Sequence, residues 1–249
     1  GLGNSTKALP ILLYGPKEYV AVLRLHNSVN RDKLYDCLEN FKGPIYQRPP
    51  QRSAVKRITR IRTIHELEVL DEESRLLCLR VLCEAGTYIR KLVYDIGEIM
   101  QCGATMIELR RTRVMHIDEQ NHFVRLHELS DAIYRLKHEN DETKFRQLVQ
   151  PVEFIAKPLK SITIRCSAID SLCHGAQLAI PGILKISKGI SKHDNISILS
   201  QKGELIALAD ALLSSDDIVN NKKGIACSTK RVIMKPDTYP KLWKNTEND

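Results

Sequence analysis

Alternating apolar and polar positions predict several β-strands in the first part of the chain. Residues 17–26 alternate in this way, as a strand does when one face lies against a core. The alternation places Tyr19, Ala21, Leu23 and Leu25 on one face, and Val20, Val22 and Arg24 on the other. Residues 65–70 and 75–84 form two more runs, and the polar residues 71–74 between them predict a β-hairpin. A further strand is predicted over residues 106–115.

Apolar residues at helical spacing separate these strands. Asn30 can cap a helix that Gly43 is expected to end, and Thr87 can cap a second one. The apolar positions of the first are Leu34, Leu38 and Phe41; those of the second are Ile89, Leu92, Val93, Ile96 and Met100. A third helix is predicted by Leu126, Leu129, Ile133 and Leu136. Residues 145–155 predict a short helix that is interrupted near Pro151.

The pattern changes at Pro158, beyond which the apolar runs are short and separated by Gly, Ser and Asn. Such punctuation is typical of a small β-barrel. A brief helix is still expected over residues 167–174. The predicted fold class is therefore α+β: a mixed or antiparallel sheet with flanking helices, followed by a small β-barrel. We expect domains at residues 1–158 and 159–236, with a C-terminal tail at 237–249.

Composition narrows the class of protein. With 249 residues, 43% of them apolar and 27% charged, the chain is ordinary for a globular protein with a real core. No apolar run approaches the roughly 20 residues that cross a bilayer. Seven scattered cysteines without a Cys-x-x-Cys pair favour core thiols over disulfides or a metal site. The chain does not begin with Met, so we expect it to be a piece of a longer protein.

The charge points to a polyanionic partner. The formal net charge is +8 and the pI is near 9.1, which alone is weak evidence for nucleic acid. The basic residues concentrate in residues 44–62, where Pro49-Pro50 predicts a loop rather than a helix or central strand. Its cations are Arg48, Arg52, Lys56, Arg57, Arg60 and Arg62, and residues 48–62 contain no Asp or Glu. We favour contact with an RNA backbone over an ordinary solvated surface.

Residues 84–97 carry the most informative motif. They place Thr87, Tyr88 and Arg90 at the start of the second helix, where an aromatic ring and a guanidinium suit a flat base beside an anion. A cation at a helix N-terminus is unfavourable by about 0.3–1 kcal/mol, so an anion is expected near Arg90. A second cluster, Leu109-Arg110-Arg111-Thr112-Arg113, follows. Strand alternation would put Arg111 and Arg113 on one face with Leu109.

In this order, several segments resemble the dyskerin branch of the TruB-like pseudouridine synthases. They are Lys-Glu-Tyr at 17–19, Gln-Arg-Pro-Pro at 47–50 with Ser-Ala-Val-Lys-Arg at 53–57, Gly-Thr-Tyr-Ile-Arg at 86–90 and Leu-Arg-Arg-Thr-Arg at 109–113. A PUA domain, which is an RNA-binding barrel, is resembled by residues 173–176 and 180–183. The dyskerin pattern is also followed by residues 224–226 and by the ending 239–243, which includes Trp243. The ordered set is specific, although each short segment alone is not.

The resemblance implies isomerisation of uridine to pseudouridine in rRNA or other RNA, directed by a box H/ACA guide RNA. The implied partners are the guide RNA, the substrate RNA and small H/ACA accessory proteins, with no membrane, and it implies no cofactor and no metal. Tyr19 matches the tyrosine that stacks on the base and is the proposed proton acceptor. Arg90 matches the arginine that pairs with the nucleophilic Asp, Tyr88 a pocket wall, and Leu109 an apolar residue under the base. The implied location is the nucleolus, or the cytoplasm of an archaeon.

Other residues are candidate RNA contacts. In the PUA resemblance His174 ends a short helix, and Gly175 would let RNA approach the backbone. Lys185 and Lys188 are candidate phosphate contacts, with plain surface charge as the alternative. Arg48, Arg52, Lys56, Arg57, Arg111 and Arg113 complete the set, although surface charge stays open for two of the three arginines in 110–113.

The sequence departs from the family at the nucleophile. The family carries it in a Gly-Thr-Leu-Asp-Pro segment shortly before Lys-Glu-Tyr, whereas no Asp precedes Asp32 here. We therefore expect a chain that holds the second part of the catalytic domain and is inactive alone. The alternatives are a non-catalytic scaffold that docks guide RNA and accessory proteins, another PUA-bearing RNA enzyme, and a stand-alone tRNA-type synthase.

Overall fold

A computed structural model describes residues 1–50 and 55–241. Its contacts divide the chain into two compact units, Leu12–Phe123 and Gly1–Ile11 together with the chain from Val124 onward. Antiparallel sheets and helices occur together, which confirms the predicted α+β class. In the part of the chain that the structure describes, no helix is both long and apolar enough to cross a bilayer.

The unit Leu12–Phe123 is built on a six-stranded sheet in the order β2-β3-β4-β1-β5-β6, and all neighbouring strands are antiparallel. The strands are β1 (Lys17–Leu25), β2 (Gly43–Gln47), β3 (Arg60–Glu73), β4 (Leu76–Cys83), β5 (Ala104–Val114) and β6 (Ile117–Asp118). The helices are α1 (Ile11–Tyr14), α2 (Arg31–Asn40), α3 (Ile89–Ile99) and α4 (Glu119–His122). The predicted hairpin is formed by β3 and β4; β3 is longer than the predicted residues 65–70, and β4 lies within the predicted residues 75–84.

One face of this sheet carries the core. Every second residue of β4 is buried, and Ala21, Leu23 and Leu25 of β1 lie on the same face, as their alternation predicts. The predicted stripe of α3 packs against them, with Met100 half-buried at its end. Gly97 allows this close packing, since a Cβ there would lie 2.3 Å from the Ala104 nitrogen.

Three local predictions for this unit need correction. Tyr88, not Thr87, is the N-cap of α3, and the Thr87 hydroxyl donates to the Glu84 carbonyl at 2.7 Å. The first helix ends at Asn40, so Gly43 begins β2 instead of ending the helix. The predicted loop 44–62 is strand at both ends, because β2 is an edge strand and Pro49-Pro50 lies just beyond it.

The other unit contains three helices after residue 124 and then a second six-stranded sheet. The helices are α5 (Leu126–His138), α6 (Thr143–Leu148) and α7 (Glu153–Ala156). The sheet order is β8-β12-β11-β10-β7-β9, with β7 and β10 parallel and the other pairs antiparallel. Its elements are β7 (Ser161–Ile164), α8 (Cys166–Cys173), β8 (Leu178–Ala179), β9 (Ile183–Ile186), β10 (Asn195–Leu199), β11 (Leu205–Ala211), α9 (Ser215–Asn220) and β12 (Ile225–Val232). The predicted boundary at residue 158 stays a prediction.

Candidate functional site

Tyr19 is the third residue of β1, and its side chain is half-buried against the core. It pairs with Val81 of β4 on one side and with Arg111 of β5 on the other. Burial, reinforced by the neighbouring Cys83, raises the pKa of the Tyr19 phenol, while the charge and hydrogen bonding of Arg111 oppose the shift. A tyrosine phenol is already protonated at neutral pH, and the raised pKa moves its deprotonation to still more alkaline pH.

A register shift separates the arginines of β5. Glu18 pairs with Arg113 whereas Tyr19 pairs with Arg111, which leaves Thr112 as an extra residue between them. Because successive residues of β1 face opposite sides of the sheet, Arg111 lies on the Tyr19 side and Arg113 on the Glu18 side. The expectation that Arg111 and Arg113 share a face with Leu109 is therefore wrong for Arg113. Leu109 pairs with Ala21, on the Tyr19 side, and is 44% exposed.

On the face of the sheet opposite to Tyr19, Glu18 contacts residues of both neighbouring strands. Its carboxylate accepts from the Thr112 hydroxyl at 2.8 Å and from the Arg113 guanidinium at 3.0 Å, and it lies 3.8 Å from an Arg80 nitrogen. The Arg110 guanidinium also has a partner, because it forms an ion pair with the Glu119 carboxylate at 2.8 Å. Arg111 is thus the member of the 110–113 cluster that lies beside Tyr19, a distinction that sequence alternation did not reveal.

Lys17 anchors the start of the strand. Its ammonium donates to the carbonyls of Leu12, Leu13 and Gly15 at 3.0, 2.8 and 2.8 Å, where α1 ends. Burial, followed by the charge of Arg111, lowers the pKa of Lys17. The first residue of the Lys-Glu-Tyr motif therefore fixes the chain that enters β1, a role that the motif did not predict.

The start of α3 is fixed by a residue from the edge strand. The Gln47 side chain accepts from the Tyr88 N–H at 2.9 Å and donates to the Tyr88 carbonyl at 3.1 Å. Arg90, two residues further on, is exposed and makes no hydrogen bond or ion pair within residues 1–50 and 55–241. The first turn of α3 contains no acidic residue, so its guanidinium is available to an anion from elsewhere.

The predicted basic segment is largely solvent-facing. Arg48, Lys56 and Arg57 are exposed, and the Arg57 guanidinium donates to the Pro49 carbonyl at 3.3 Å. Arg62, by contrast, lies 3.6 Å from Glu84. The predicted contact Arg52 and the motif residue Trp243 lie outside the described residues.

The remaining predicted contacts belong to the unit with the second sheet. His174 is the C-cap of α8, as expected, and its Nδ1 lies 2.8 Å from the Asp170 carbonyl oxygen. Gly175 follows with a φ of 91°, a left-handed conformation that favours glycine. Lys185 and Lys188 are exposed, and their ammonium groups make no hydrogen bond or ion pair with the described residues. Their RNA-binding roles, and the catalytic roles of Tyr19, Tyr88, Arg90 and Leu109, stay predictions.

Three family models match the chain in succession. They are the N-terminal domain of TruB family pseudouridylate synthases at residues 1–89, the C-terminal domain of tRNA pseudouridylate synthase B at 90–157, and the PUA domain at 160–233. The PUA match includes the whole second sheet, where we predicted the small barrel. It identifies the domain by family as well as by fold.

Relatives and solved structures agree with these matches. A probable tRNA pseudouridine synthase B of Saccharolobus solfataricus is 46% identical over 100% of this chain and 98% of its own. Its counterpart in Methanosarcina barkeri is 44% identical over 99% of this chain and 72% of its own.

Among solved structures, a chain of a Cbf5-Nop10-Gar1 complex is 42% identical with a TM-score of 0.92, covering 97% of this chain and 74% of that one. A chain of an H/ACA RNP bound to a substrate RNA containing 2'-deoxyuridine is 40% identical with a TM-score of 0.88, covering 98% and 74%. The sequence relatives span the sheet that carries Tyr19, the helix entrance that carries Arg90 and the PUA domain. The chain belongs to the TruB family of pseudouridine synthases.

Proposed function

We propose that this protein is the catalytic subunit of a box H/ACA guide-RNA-directed pseudouridine synthase, which isomerises uridine in rRNA or other RNA. The observation that carries the proposal is its likeness, over 97–98% of its length, to chains that were solved in a Cbf5-Nop10-Gar1 complex and in an H/ACA RNP with substrate RNA. The proposed partners are a guide RNA, a substrate RNA and small accessory proteins. A nucleolar location, or a cytoplasmic one in an archaeon, stays part of the proposal.

The surroundings of Tyr19 support a pocket for a uracil ring. A base must leave its stack before its glycosidic bond can be exchanged, at a cost of a few kcal/mol. The half-buried phenol of Tyr19 offers a ring face, and Leu109 lies on the same side of the sheet, beside Arg111. Stacking on an aromatic side chain is worth about 1–3 kcal/mol per base, comparable to the cost of flipping.

Arg90 is proposed to orient the nucleophilic carboxylate. Its guanidinium has no partner among the described residues, although it stands at a helix start where a cation is unfavourable. A carboxylate within ~4–6 Å would be held ionised, and a bidentate pair would fix its direction of attack. In the given sequence the first Asp is Asp32, which lies on α2, and our proposal takes the nucleophilic carboxylate to lie outside the given residues.

The basic residues support the RNA part of the proposal. Arg48, Lys56 and Arg57 are exposed beyond β2, and Lys185 and Lys188 are exposed in the PUA domain. Contacts to phosphates would position the RNA, while base pairing with the guide would choose the uridine. The protein then needs no base-reading side chains of its own.

The test is tritium release from RNA labelled at C5 of uridine, because the isomerisation moves the glycosidic bond to C5 and frees its hydrogen. We would compare this chain with the full-length gene product, each with and without an H/ACA guide RNA and accessory proteins. We expect guide-dependent release from the full-length product and none from this chain alone. Guide-independent release, or none from either protein despite RNA binding, would contradict the proposal.

The names of the relatives favour a second candidate, a tRNA pseudouridine synthase. A transcript of tRNA, offered without guide RNA, separates the two, because a stand-alone synthase would release tritium from it. The remaining candidate is a scaffold that binds guide RNA without catalysis, which is favoured by the observation that no Asp precedes Asp32 in the given sequence. It predicts guide-RNA binding with no release from any substrate.

A further inference from the structure

We propose that Gln47 is a positioning residue, whose buried amide sets the backbone of Tyr88 and with it the direction in which α3 presents Arg90. The inference rests on the proposed function, because it gives Arg90 its task. It concerns a residue whose own side chain faces the protein interior, with 2% of its surface exposed.

The contact is a two-point clamp on one residue. The Tyr88 N–H donates to Oε1 of Gln47 at 2.9 Å, and Nε2 of Gln47 donates to the Tyr88 carbonyl at 3.1 Å. A primary amide places an acceptor and a donor side by side, as a backbone N–H and C=O require. Neither a carboxylate nor an apolar side chain can provide both.

Tyr88 needs this support because of its place in the helix. It is the N-cap of α3 in extended conformation, and its side chain makes no capping hydrogen bond. Its N–H has no partner within the helix, so the Gln47 oxygen satisfies it. Its carbonyl also accepts from the Leu92 N–H at 3.0 Å, so the clamp acts on the atom that begins the helix.

A second tether holds the same turn from the neighbouring strand. The Thr63 N–H donates to the Glu84 carboxylate at 3.1 Å, and the Glu84 N–H donates to the Thr63 carbonyl at 2.8 Å. Residues 84–88 are therefore fixed at one end by β3 and at the other by Gln47 of β2. Among these hydrogen bonds, only the two from Gln47 hold the Tyr88 end of the turn.

The clamp also joins two parts of the proposed site. Gln47 ends β2 and is followed by Arg48 and the buried Pro49, whose carbonyl accepts from Arg57. RNA bound to the exposed cations of this segment would pull on β2, and Gln47 would transmit the position of β2 to Tyr88. Removal of the two hydrogen bonds between Gln47 and Tyr88 should therefore lower turnover more than it lowers the affinity for RNA.

Gln47→Glu and Gln47→Leu in the full-length gene product test the proposal. Turnover by tritium release would be measured relative to wild type between about pH 6 and 9, with the KM for substrate RNA measured separately. We expect Gln47→Leu to lose about 10–100-fold in kcat at every pH, since small misplacements of reacting groups have such costs. At high pH, Gln47→Glu should lose as much kcat as Gln47→Leu. Its ionised carboxylate has no proton to donate to the Tyr88 carbonyl, which its second oxygen then faces.

At lower pH the Gln47→Glu variant should recover. Burial and the facing carbonyl raise the pKa of the introduced carboxyl, and its protonated form regains a donor. A rise in relative kcat as the pH falls, absent from Gln47→Leu, is the signature of the clamp. Leu79→Ala controls for lost stability in the same sheet, and Gln150→Glu adds the same charge at an exposed site. Neither control should show the rise.

Backbone amide exchange provides a measurement that needs no activity. The protection factor of the Tyr88 amide should fall at least tenfold in Gln47→Leu, and less in Leu79→Ala. Unchanged protection, or a kcat loss without pH-dependent recovery in Gln47→Glu, would overturn the proposal. If the wild-type protein released no tritium while Tyr88 protection still depended on Gln47, the clamp would stand and the proposed function would fail.

Discussion

The two six-stranded sheets of this protein differ in what their faces do. In the PUA domain, β11 is buried at every position except Asp210, because both sides of the strand are covered. In the first sheet, β4 alternates between buried and half-buried residues, and β5 is mostly exposed. A strand covered on both sides can only stabilise the fold, whereas β5 leaves Leu109 and Arg111 exposed, although they lie on the same side of the sheet as Tyr19.

Charge is distributed in the same way. The first sheet's open face carries the network of Glu18 with Thr112, Arg80 and Arg113. Buried polar side chains do not follow this pattern: among the described residues the first sheet has Gln47, whereas the PUA domain has Asp170, Ser197, Ser200 and Ser215. The candidate site residues Tyr19, Leu109 and Arg111 of the first sheet are half-buried or exposed.

The largest expected effect concerns Arg90. Arg90→Ala in the full-length gene product should lower turnover by about 10²–10³-fold, the usual scale for a removed electrostatic contact at a reacting group. RNA affinity measured by filter binding should change little. Arg31→Ala, which removes an exposed arginine paired with Glu72, should leave both unchanged. Equal loss of turnover and affinity would contradict the assigned role.

Next in size is the cost of truncating a buried strand residue. Ile198→Ala in β10 removes a fully buried side chain and should lower the free energy of unfolding by about 2–5 kcal/mol. Leu109→Ala in the open sheet removes a 44% exposed side chain and should cost no more than about 1 kcal/mol. Urea titrations of the two variants measure this directly. Similar losses would mean that the two sheets do not differ as described.

A smaller effect is expected from the lysines of the PUA domain. Replacing Lys185 and Lys188 by Ala should reduce the slope of log affinity against log salt by about 1–2, if each neutralises a phosphate. Lys230→Ala is the matched control, because its ammonium is paired with Asp210 at 2.9 Å. If the double variant keeps the wild-type slope, these lysines are plain surface charge.

The smallest effect is expected on the pKa of Tyr19, and it distinguishes Arg111 from Arg113. The two arginines lie on either side of Thr112, the extra residue of the β-bulge between β1 and β5. Arg111 lowers the pKa of the Tyr19 phenol, which burial raises. Arg111→Ala should therefore raise that pKa further, while Arg113→Ala should leave it nearly unchanged because Arg113 is bound to Glu18. The test is a pH titration of the Tyr19 ring carbon by NMR. A larger shift in Arg113→Ala would contradict the register of β5.

Much of the first sheet follows from local pattern. The sequence pattern predicted β1 at residues 17–26, with its side chains divided between two faces, and β4 at residues 75–84, and helical spacing predicted α3 with its stripe. These features need only the period of 2.0 or 3.6 residues, which neighbours along the chain define. The ordered motifs also indicated the family and the PUA domain correctly.

Only the tertiary structure decided how distant segments meet. Sequence alternation placed Arg111 and Arg113 together, yet the bulge opposite Glu18 and Tyr19 separates them, because it arises from the pairing of two strands. Gln47 and Tyr88 are 41 residues apart, and their clamp exists only because β2 reaches the start of α3. A sequence determines the period of each element, whereas register and side-chain partners depend on the packing of all elements at once.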